Sequence, residues 1–250
     1  MSPDIPAGSP ADDQPCPPYP SDAPLALPAA QWSALCEAYA RPLRAYHHIG
    51  HIFETLARFR EVVEAGPGWR RPAEVWAALL YHDAVYVAAR KDNERRSAEL
   101  ALTHFRQWPA VGVVDTASTT ASATTPGPFR VECVAAWILL TARHGSLDRT
   151  ALVPVLAQGD GLESADLDDT LHLLDADMAI LGSEPERFAE YDRAIAEEYR
   201  GHVPGFLYRR GRRAFFRSLL QRERIYLSDF FHAKLEAQAR RNLHAAINGA

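Results

Sequence analysis

The segment that begins at Pro72 constrains the fold more than any other part of the sequence. Residues 75–81 read Val-Trp-Ala-Ala-Leu-Leu-Tyr, and a helix of this composition belongs to a hydrophobic core. Proline suits the first turn of such a helix. His82 and Asp83 follow directly. Because a buried, unpaired carboxylate is costly, Asp83 must be solvated, hydrogen-bonded or bound to a metal, and partners from elsewhere in the chain must decide which.

Helical periodicity recurs along the chain, whereas no segment shows the sustained period-two alternation of a strand. Proline and glycine mark several boundaries, as at Arg41-Pro42 and at residues 66–68. The predicted helices cover residues 30–40, 44–65, 72–83, 93–108, 130–143, 165–181, 185–200, 204–222 and 228–248. The sequence therefore predicts an all-α fold, with one helical domain over residues 30–250.

Two segments are predicted to lie outside this helical framework. Residues 1–29 are rich in Pro, Ala, Ser and Asp and cannot bury enough apolar surface to fold alone, so we expect a disordered leader. Residues 109–128 are rich in Thr, Ser and Ala and end in Pro-Gly-Pro, which is typical of a long surface loop or insertion.

Charge and cysteine content exclude several functions. The net charge of −5 gives no basic face for duplex nucleic acid, and no apolar run is long enough to span a membrane. The first basic residue is Arg41, so the positive region of a secretion signal is missing. Three cysteines without CxxC spacing predict neither a disulfide framework nor a cysteine-rich zinc site, which favours a reducing, cytoplasmic location.

A cluster of histidines precedes the core helix. His47 and His51 are four residues apart, so on a helix they share one face and their side chains can converge. Imidazole nitrogens together with carboxylates suit a divalent transition metal ion. The simpler interpretation is a polar stripe on a solvated face.

Two aspartates interrupt a later apolar helix. Asp177 lies near the border of the inward stripe, whereas Asp175 fits better as an exposed, solubilising charge. The inward stripe consists of Leu171, Leu174, Met178 and Leu181.

Six motifs occur in order: RAYHHIGHI, YHDAVY, DNERRSAE, TARHG, LDADMAILG and ARRNL. Together they resemble the HD-domain superfamily of metal-dependent phosphohydrolases, and within it an uncharacterised group of predicted bacterial enzymes. The resemblance implies a helical bundle with one divalent ion, from among Mn, Co, Ni, Fe and Zn. It also implies that His47, His82, Asp83 and Asp177 are the metal ligands.

Further residues take roles from the same resemblance. His51 and His144 are extra histidines that would lie behind the ligands, contact substrate or bind a second metal, and His51 competes with His47 as first ligand. Glu94 would orient the attacking water, as would His51, while Asp92 is explained as a helix N-cap. The predicted phosphate contacts are Arg44, Thr141 and Arg143, with Arg240 a further candidate. Ordinary surface charge is the alternative for the arginines, and a helix C-cap is the alternative for His144.

The implied activity is hydrolysis of a phosphate ester by a metal-activated water. The expected substrate is a small phosphorylated compound, with nucleotides among the candidates; whether the chain forms a homodimer stays open. Two alternatives remain: a di-iron oxygenase on the same fold, and a non-catalytic nucleotide-binding regulatory module. The sequence contains no GxGxxG, Walker A, GxSxG or HExxH motif.

Overall fold

The protein is predominantly helical in the part that its computed structural model describes, residues 16–110, 128–159 and 161–249. These residues form ten α-helices and no strand, which confirms the predicted all-α class. The helices are α1 (Ala29–Ala40), α2 (Ile49–Ala65), α3 (Pro72–Tyr81), α4 (Asn93–Gln107), α5 (Val131–Thr141), α6 (Arg149–Ala157), α7 (Leu167–Met178), α8 (Pro185–Glu198), α9 (Gly205–Leu220) and α10 (Asp229–Asn248).

Helix α3 is the centre of the bundle. Every residue from Ala73 to Tyr81 is buried, because α2, α4, α5 and α7 surround it. Pro72 occupies its first turn, as predicted. Buried apolar side chains from α1 to α10 belong to one contiguous cluster, so the ends of the helices around α3 have fixed positions relative to one another.

Helix α7 is anchored at both ends. Near its start, Asp169 accepts hydrogen bonds from the backbone N–H groups of Arg70 (2.9 Å) and Arg71 (2.8 Å), just before α3. Near its end, Asp175 accepts three hydrogen bonds, from the N–H of Leu227 (2.8 Å) and from the N–H (2.7 Å) and Oγ–H (2.6 Å) of Ser228. These anchors set the position of the last turn of α7 relative to both α3 and α10.

The structure overturns the prediction that Asp175 is an exposed charge. Its side chain is 2% exposed, because the N–H groups that precede α10 need an acceptor in the core. Burial raises the pKa of Asp175 to about 7, although the hydrogen bonds from Ser228 and Leu227 act in the opposite direction.

Helix α2 begins five residues later than predicted. His48 is its N-cap, and the His48 Nδ1 accepts a hydrogen bond from the N–H of Gly50 at 2.9 Å. The N–H groups of Tyr46 (2.8 Å) and His47 (2.9 Å) donate instead to Glu198 Oε1 at the end of α8. His47 therefore lies before the helix and does not share a helix face with His51, contrary to the prediction.

The predicted leader is partly ordered. Residues 16–28 pack along α1: Leu25 is fully buried, and Trp32 donates to the backbone carbonyl of Pro17 at 2.7 Å. The proline-rich composition was a poor guide because it gave no weight to these few apolar anchors. Residues 1–15 lie outside the described residues, as do residues 111–127 of the predicted insertion.

Two cysteines are paired, contrary to the prediction of no disulfide. Cys16 and Cys36 form a disulfide that ties the segment before α1 to α1 itself. An odd number of cysteines did not preclude one pair, and Cys133 is left as a buried free thiol. The cytoplasmic location stays a prediction. None of the described helices is long and apolar enough to cross a membrane.

The remaining boundaries follow the sequence closely, with one omission. Helix α1 ends before Arg41-Pro42 and α4 begins at Asn93, as predicted. The side chain of Asp92 accepts hydrogen bonds from Arg90 and does not cap α4.

Helix α6, which contains Pro154 in its interior, was not predicted from the sequence.

Candidate metal centre

Four side chains from three helix ends meet beside the C-terminus of α3. His51 comes from the first turn of α2, His82 and Asp83 follow α3, and Asp177 lies in the last turn of α7. Each side chain contributes one nitrogen or oxygen atom, and these four atoms all lie within 4.8 Å of one another. All four side chains are largely shielded, and the least buried of them, Asp83, is 13% exposed.

The distances within this cluster match those between the ligands of a single metal ion. His82 Nε2 lies 3.2 Å from Asp83 Oδ2 and 3.2 Å from Asp177 Oδ1. His51 Nε2 lies 3.6 Å and 3.4 Å from the same two oxygens. An ion at ordinary distances of about 2.0–2.2 Å separates neighbouring ligand atoms by about 2.9–3.5 Å. The residues present therefore fit a divalent metal ion.

The two ring nitrogens of the cluster also favour a cation. His51 Nε2 and His82 Nε2 lie 3.2 Å apart, and two acceptor lone pairs at this distance repel unless a proton or a metal ion lies beside them. The Nδ1–H of His82 donates to the backbone carbonyl of Leu79 at 2.9 Å, which directs the Nε2 lone pair into the cluster. A second hydrogen bond of this kind is the usual support of a metal-binding histidine.

The charges in the cluster are strongly coupled. Burial alone would lower the pKa of His82, but Asp83 and Asp177 outweigh it and hold that pKa well above its usual range. Burial would raise the pKa of both carboxyl groups, but histidine partners, His82 foremost, outweigh it and lower both. In the metal-free protein, a proton on His82 compensates the carboxylates, so a bound metal must displace that proton and binds more weakly as the pH falls.

His47 lies at the edge of this cluster. Its Nε2 is 4.0 Å from Asp83 Oδ2, and its Nδ1–H donates to Glu198 Oε2 at 2.6 Å. The His47 ring stacks on Tyr86, with 4.0 Å between ring centroids. The geometry therefore favours His51 over His47 as the first ligand and places His47 beside the cluster, oriented by Glu198.

Glu198 was not identified from the sequence. Its carboxylate is 5% exposed and accepts three hydrogen bonds, two from backbone N–H groups and one from the His47 ring. Burial by itself would raise its pKa, but His47 and the two N–H groups outweigh that effect and lower it. Nothing distinguishes Glu198 from Glu197 in the sequence; only the packing of α8 against the residues before α2 does.

The predicted phosphate-binding arginines are directed elsewhere. The Arg44 guanidinium donates to four backbone carbonyls, those of Ala38, His47, Asp83 and Ala84, at 2.6–3.0 Å. It therefore holds the two site segments together and does not bind substrate. Arg240 likewise donates to Glu236 and to carbonyls after α9, and Arg143 is exposed and absent from the cavity.

A cavity of about 230 Å³ opens onto the cluster. Three other predicted site residues line it: Glu94, Thr141 and His144. The hydroxyl of Thr141 donates to the carbonyl of Ile138, and His144 Nδ1 lies 2.8 Å from Asp177 Oδ2. The remaining wall is apolar and aromatic, with one charged residue that was not predicted, Arg212. Its aromatic members are Tyr46, Tyr86, Tyr191, Tyr199 and Phe215.

Comparisons of the chain with protein-family models, with curated proteins and with solved structures found no match.

Proposed function

We propose that the protein is a metal-dependent phosphohydrolase that cleaves a small phosphate ester. The observation that carries this proposal is the shielded cluster of two imidazole nitrogens and two carboxylate oxygens at metal-ligand spacing, placed where a cavity opens. The resemblance to HD-domain phosphohydrolases supports the same reaction class.

His51, His82, Asp83 and Asp177 would bind the ion. When bound, a divalent ion lowers the pKa of a water molecule and polarises a phosphoryl oxygen. Several transition metals suit a set of two nitrogens and two oxygens, so Mn, Co, Ni, Fe and Zn all remain candidates.

His47 is the residue placed to move a proton. With its Nδ1–H donated to Glu198, its Nε2 is free to accept a proton from water or to return one to the leaving group. In the hydrolysis, the water oxygen forms a bond to phosphorus, the ester P–O bond breaks, and the departing alcohol takes up a proton. Glu94, on the cavity wall, is a second group that can orient the water.

Replacing Glu198 with Gln should lower kcat by about 10- to 100-fold and leave KM nearly unchanged. The amide would present an N–H to His47 Nδ1, which reverses the tautomer of the ring without removing its bulk. Steady-state kinetics on an aryl phosphate, with metal content determined on the same preparation, would measure this effect.

Glu197→Gln is the matched control. Glu197 is adjacent in the sequence, half exposed, and paired only with Arg200 among the described residues, so this variant should behave as the wild type. Equal kinetics for the Glu198 and Glu197 variants would exclude a role for Glu198 in orienting His47.

The proposed function itself is tested on the wild-type protein. After reconstitution with Mn, Co, Ni, Fe or Zn, elemental analysis should find about one ion per chain, and para-nitrophenyl phosphate should be hydrolysed only by the metal-loaded form. Failure to retain any of these metals, or retention without hydrolysis of any phosphate ester in a broad panel, would rule the proposal out.

A di-iron oxygenase is the second candidate, and His144 is the observation that favours it. His144 Nδ1 lies 2.8 Å from the second carboxylate oxygen of Asp177, so these two residues would be the ones to hold a second ion. Two irons per chain without phosphatase activity would select this alternative.

A further inference from the structure

Arg212 carries an unused hydrogen-bonding group beside the cavity. It lies on the inward face of α9, where its guanidinium carbon is 4.4 Å from the ring centre of Phe216. Its Nε donates to Asp192 Oδ1 at 2.9 Å. Its Nη2 is buried and has no hydrogen-bond partner among the described residues. A buried guanidinium with a spare donor is a favourable site for an anion.

Aromatic rings separate Arg212 from the cluster of His51, His82, Asp83 and Asp177. The Arg212 guanidinium carbon is 4.9 Å from the ring centre of Tyr191, which is 4.7 Å from that of Tyr46, which in turn is 4.7 Å from that of His51. Arg212 and His51 line the same cavity. With the proposed ion bound, the cavity would have two groups that attract anions, with the rings of Tyr191 and Tyr46 between them.

We propose that the cavity selects phosphate esters that carry a second anionic group, a carboxylate or a phosphate, remote from the phosphate that is cleaved, and that Arg212 binds this second group. The inference rests on the proposed function, because it assigns the other anion to the metal cluster.

A purely structural role explains the position of Arg212 less well than anion binding does. Asp192, its ion-pair partner, is 36% exposed and engages only one edge of the guanidinium. The Tyr191 side chain also interacts with the guanidinium, and Nη2 is still left without a hydrogen-bond partner among the described residues. Stacking on the neighbouring rings would be served as well by an apolar side chain, without the cost of burying a cation. The side of the Arg212 guanidinium that lines the cavity is therefore available to bind a ligand.

The test compares two substrates that differ by one charge, phenyl phosphate and para-carboxyphenyl phosphate. The wild type should favour the carboxylated ester in kcat/KM by about 10- to 100-fold, the range expected for a charged hydrogen bond. Arg212→Met, which fits among the rings, should reduce this ratio to near one. Arg217→Met is the matched control, since Arg217 lies on the exposed side of the same helix, and it should keep the wild-type ratio.

Two further measurements separate misfolding and loss of function from failure of the inference. Arg212→Lys keeps the charge but not the two-pronged geometry, and it should retain part of the preference. Calorimetric binding of para-carboxyphenylphosphonate, which cannot be hydrolysed, should be weakened about 10-fold or more by Arg212→Met even if the wild type cleaves neither ester. In that case the assignment of Arg212 to the second anion stands, and the broad panel of phosphate esters decides the phosphohydrolase proposal separately. Equal binding to the wild type and the Met variant, or an unchanged substrate ratio in a folded Met variant, would overturn the inference.

Discussion

Replacing Asp177 with Asn should abolish metal binding and leave the fold in place. The amide is a poor metal ligand and lacks the negative charge that compensates the ion, so the metal content should fall from about one ion per chain to below about 0.1. Hydrolysis of an aryl phosphate should fall roughly a thousandfold or more, because the reaction depends on the ion. Elemental analysis of dialysed protein and initial-rate kinetics would measure the two effects.

The fold should survive because Asp169 and Asp175, and not Asp177, anchor α7 to its neighbours. The variant loses the attraction of Asp177 to His82 and His144, and relief of the repulsion between Asp177 and Asp83 offsets part of that loss. In a chelator, the Asp177→Asn variant should unfold within a few degrees of the wild type. Adding metal at about 100 times its dissociation constant should stabilise the wild type by about 2.7 kcal/mol and the variant hardly at all. Normal metal content in the variant would contradict the assignment of Asp177 as a ligand.

Asp175→Asn should have the opposite pattern, a large loss of stability. The carboxylate accepts hydrogen bonds from two backbone N–H groups and one hydroxyl, and an amide in the same place would direct its own N–H groups at one of these donors. A buried donor left without an acceptor costs about 1–3 kcal/mol, so we expect destabilisation by about 3 kcal/mol in total. Thermal unfolding should show a Tm lower by roughly 6–12 °C. Because burial raises the pKa of Asp175 to about 7, burying the ionised carboxylate costs the wild type stability above that pH, so the difference in Tm should be smaller at pH 8 than near pH 7.

Asp168→Asn is the control for this prediction. Asp168 lies on the same helix but is 76% exposed, and its nearest cationic partner, Arg149, is 3.8 Å away. Its replacement should change the free energy of unfolding by less than about 0.5 kcal/mol. If the Asp175 and Asp168 variants unfold at the same temperature, the buried anchor between α7 and the residues before α10 does not contribute as proposed.

Local patterns predicted the helices well. Proline at the start of α3 and Arg41-Pro42 after α1 each limit the backbone within one or two residues, so the sequence determines these boundaries without help from the rest of the chain. Helix α6 was missed because a proline in its interior removes a backbone donor, and packing against α7 and the turn at Ser164–Asp166 compensates for it.

The roles of Asp175 and Asp177 could not be separated in the same way. Both interrupt one apolar helix, two residues apart, and the periodicity of α7 indicates only that they point in different directions. Only tertiary contacts determine that Asp177 points toward His51, His82 and Asp83 and that Asp175 points toward the turn before α10. The prediction placed Asp177 near the border of the buried stripe, but it assigned Asp175 to solvent.

The choice between His47 and His51 also depends on long-range contacts. Spacing alone favours a shared helix face, but Glu198 accepts hydrogen bonds from the N–H groups of residues 46 and 47, and α2 therefore begins later.

The sequence also contained a signal for Arg212 that was not used. Arg212 lies four residues after Tyr208 and four before Phe216, which places it on the apolar face of α9.

The distribution of the ligands along the chain has a consequence for the order of events during folding. About half of the sequence lies between His51 and Asp177, and of the four proposed ligands only His82 and Asp83 are neighbours in an unfolded chain. If these four residues bind an ion as proposed, the ion distinguishes the native topology from less ordered states, and the complete site forms only after α7 has docked against α3. During synthesis on a ribosome, the four-ligand site would then form only after at least the first 177 residues have emerged, so we expect a product truncated before Asp177 to lack it.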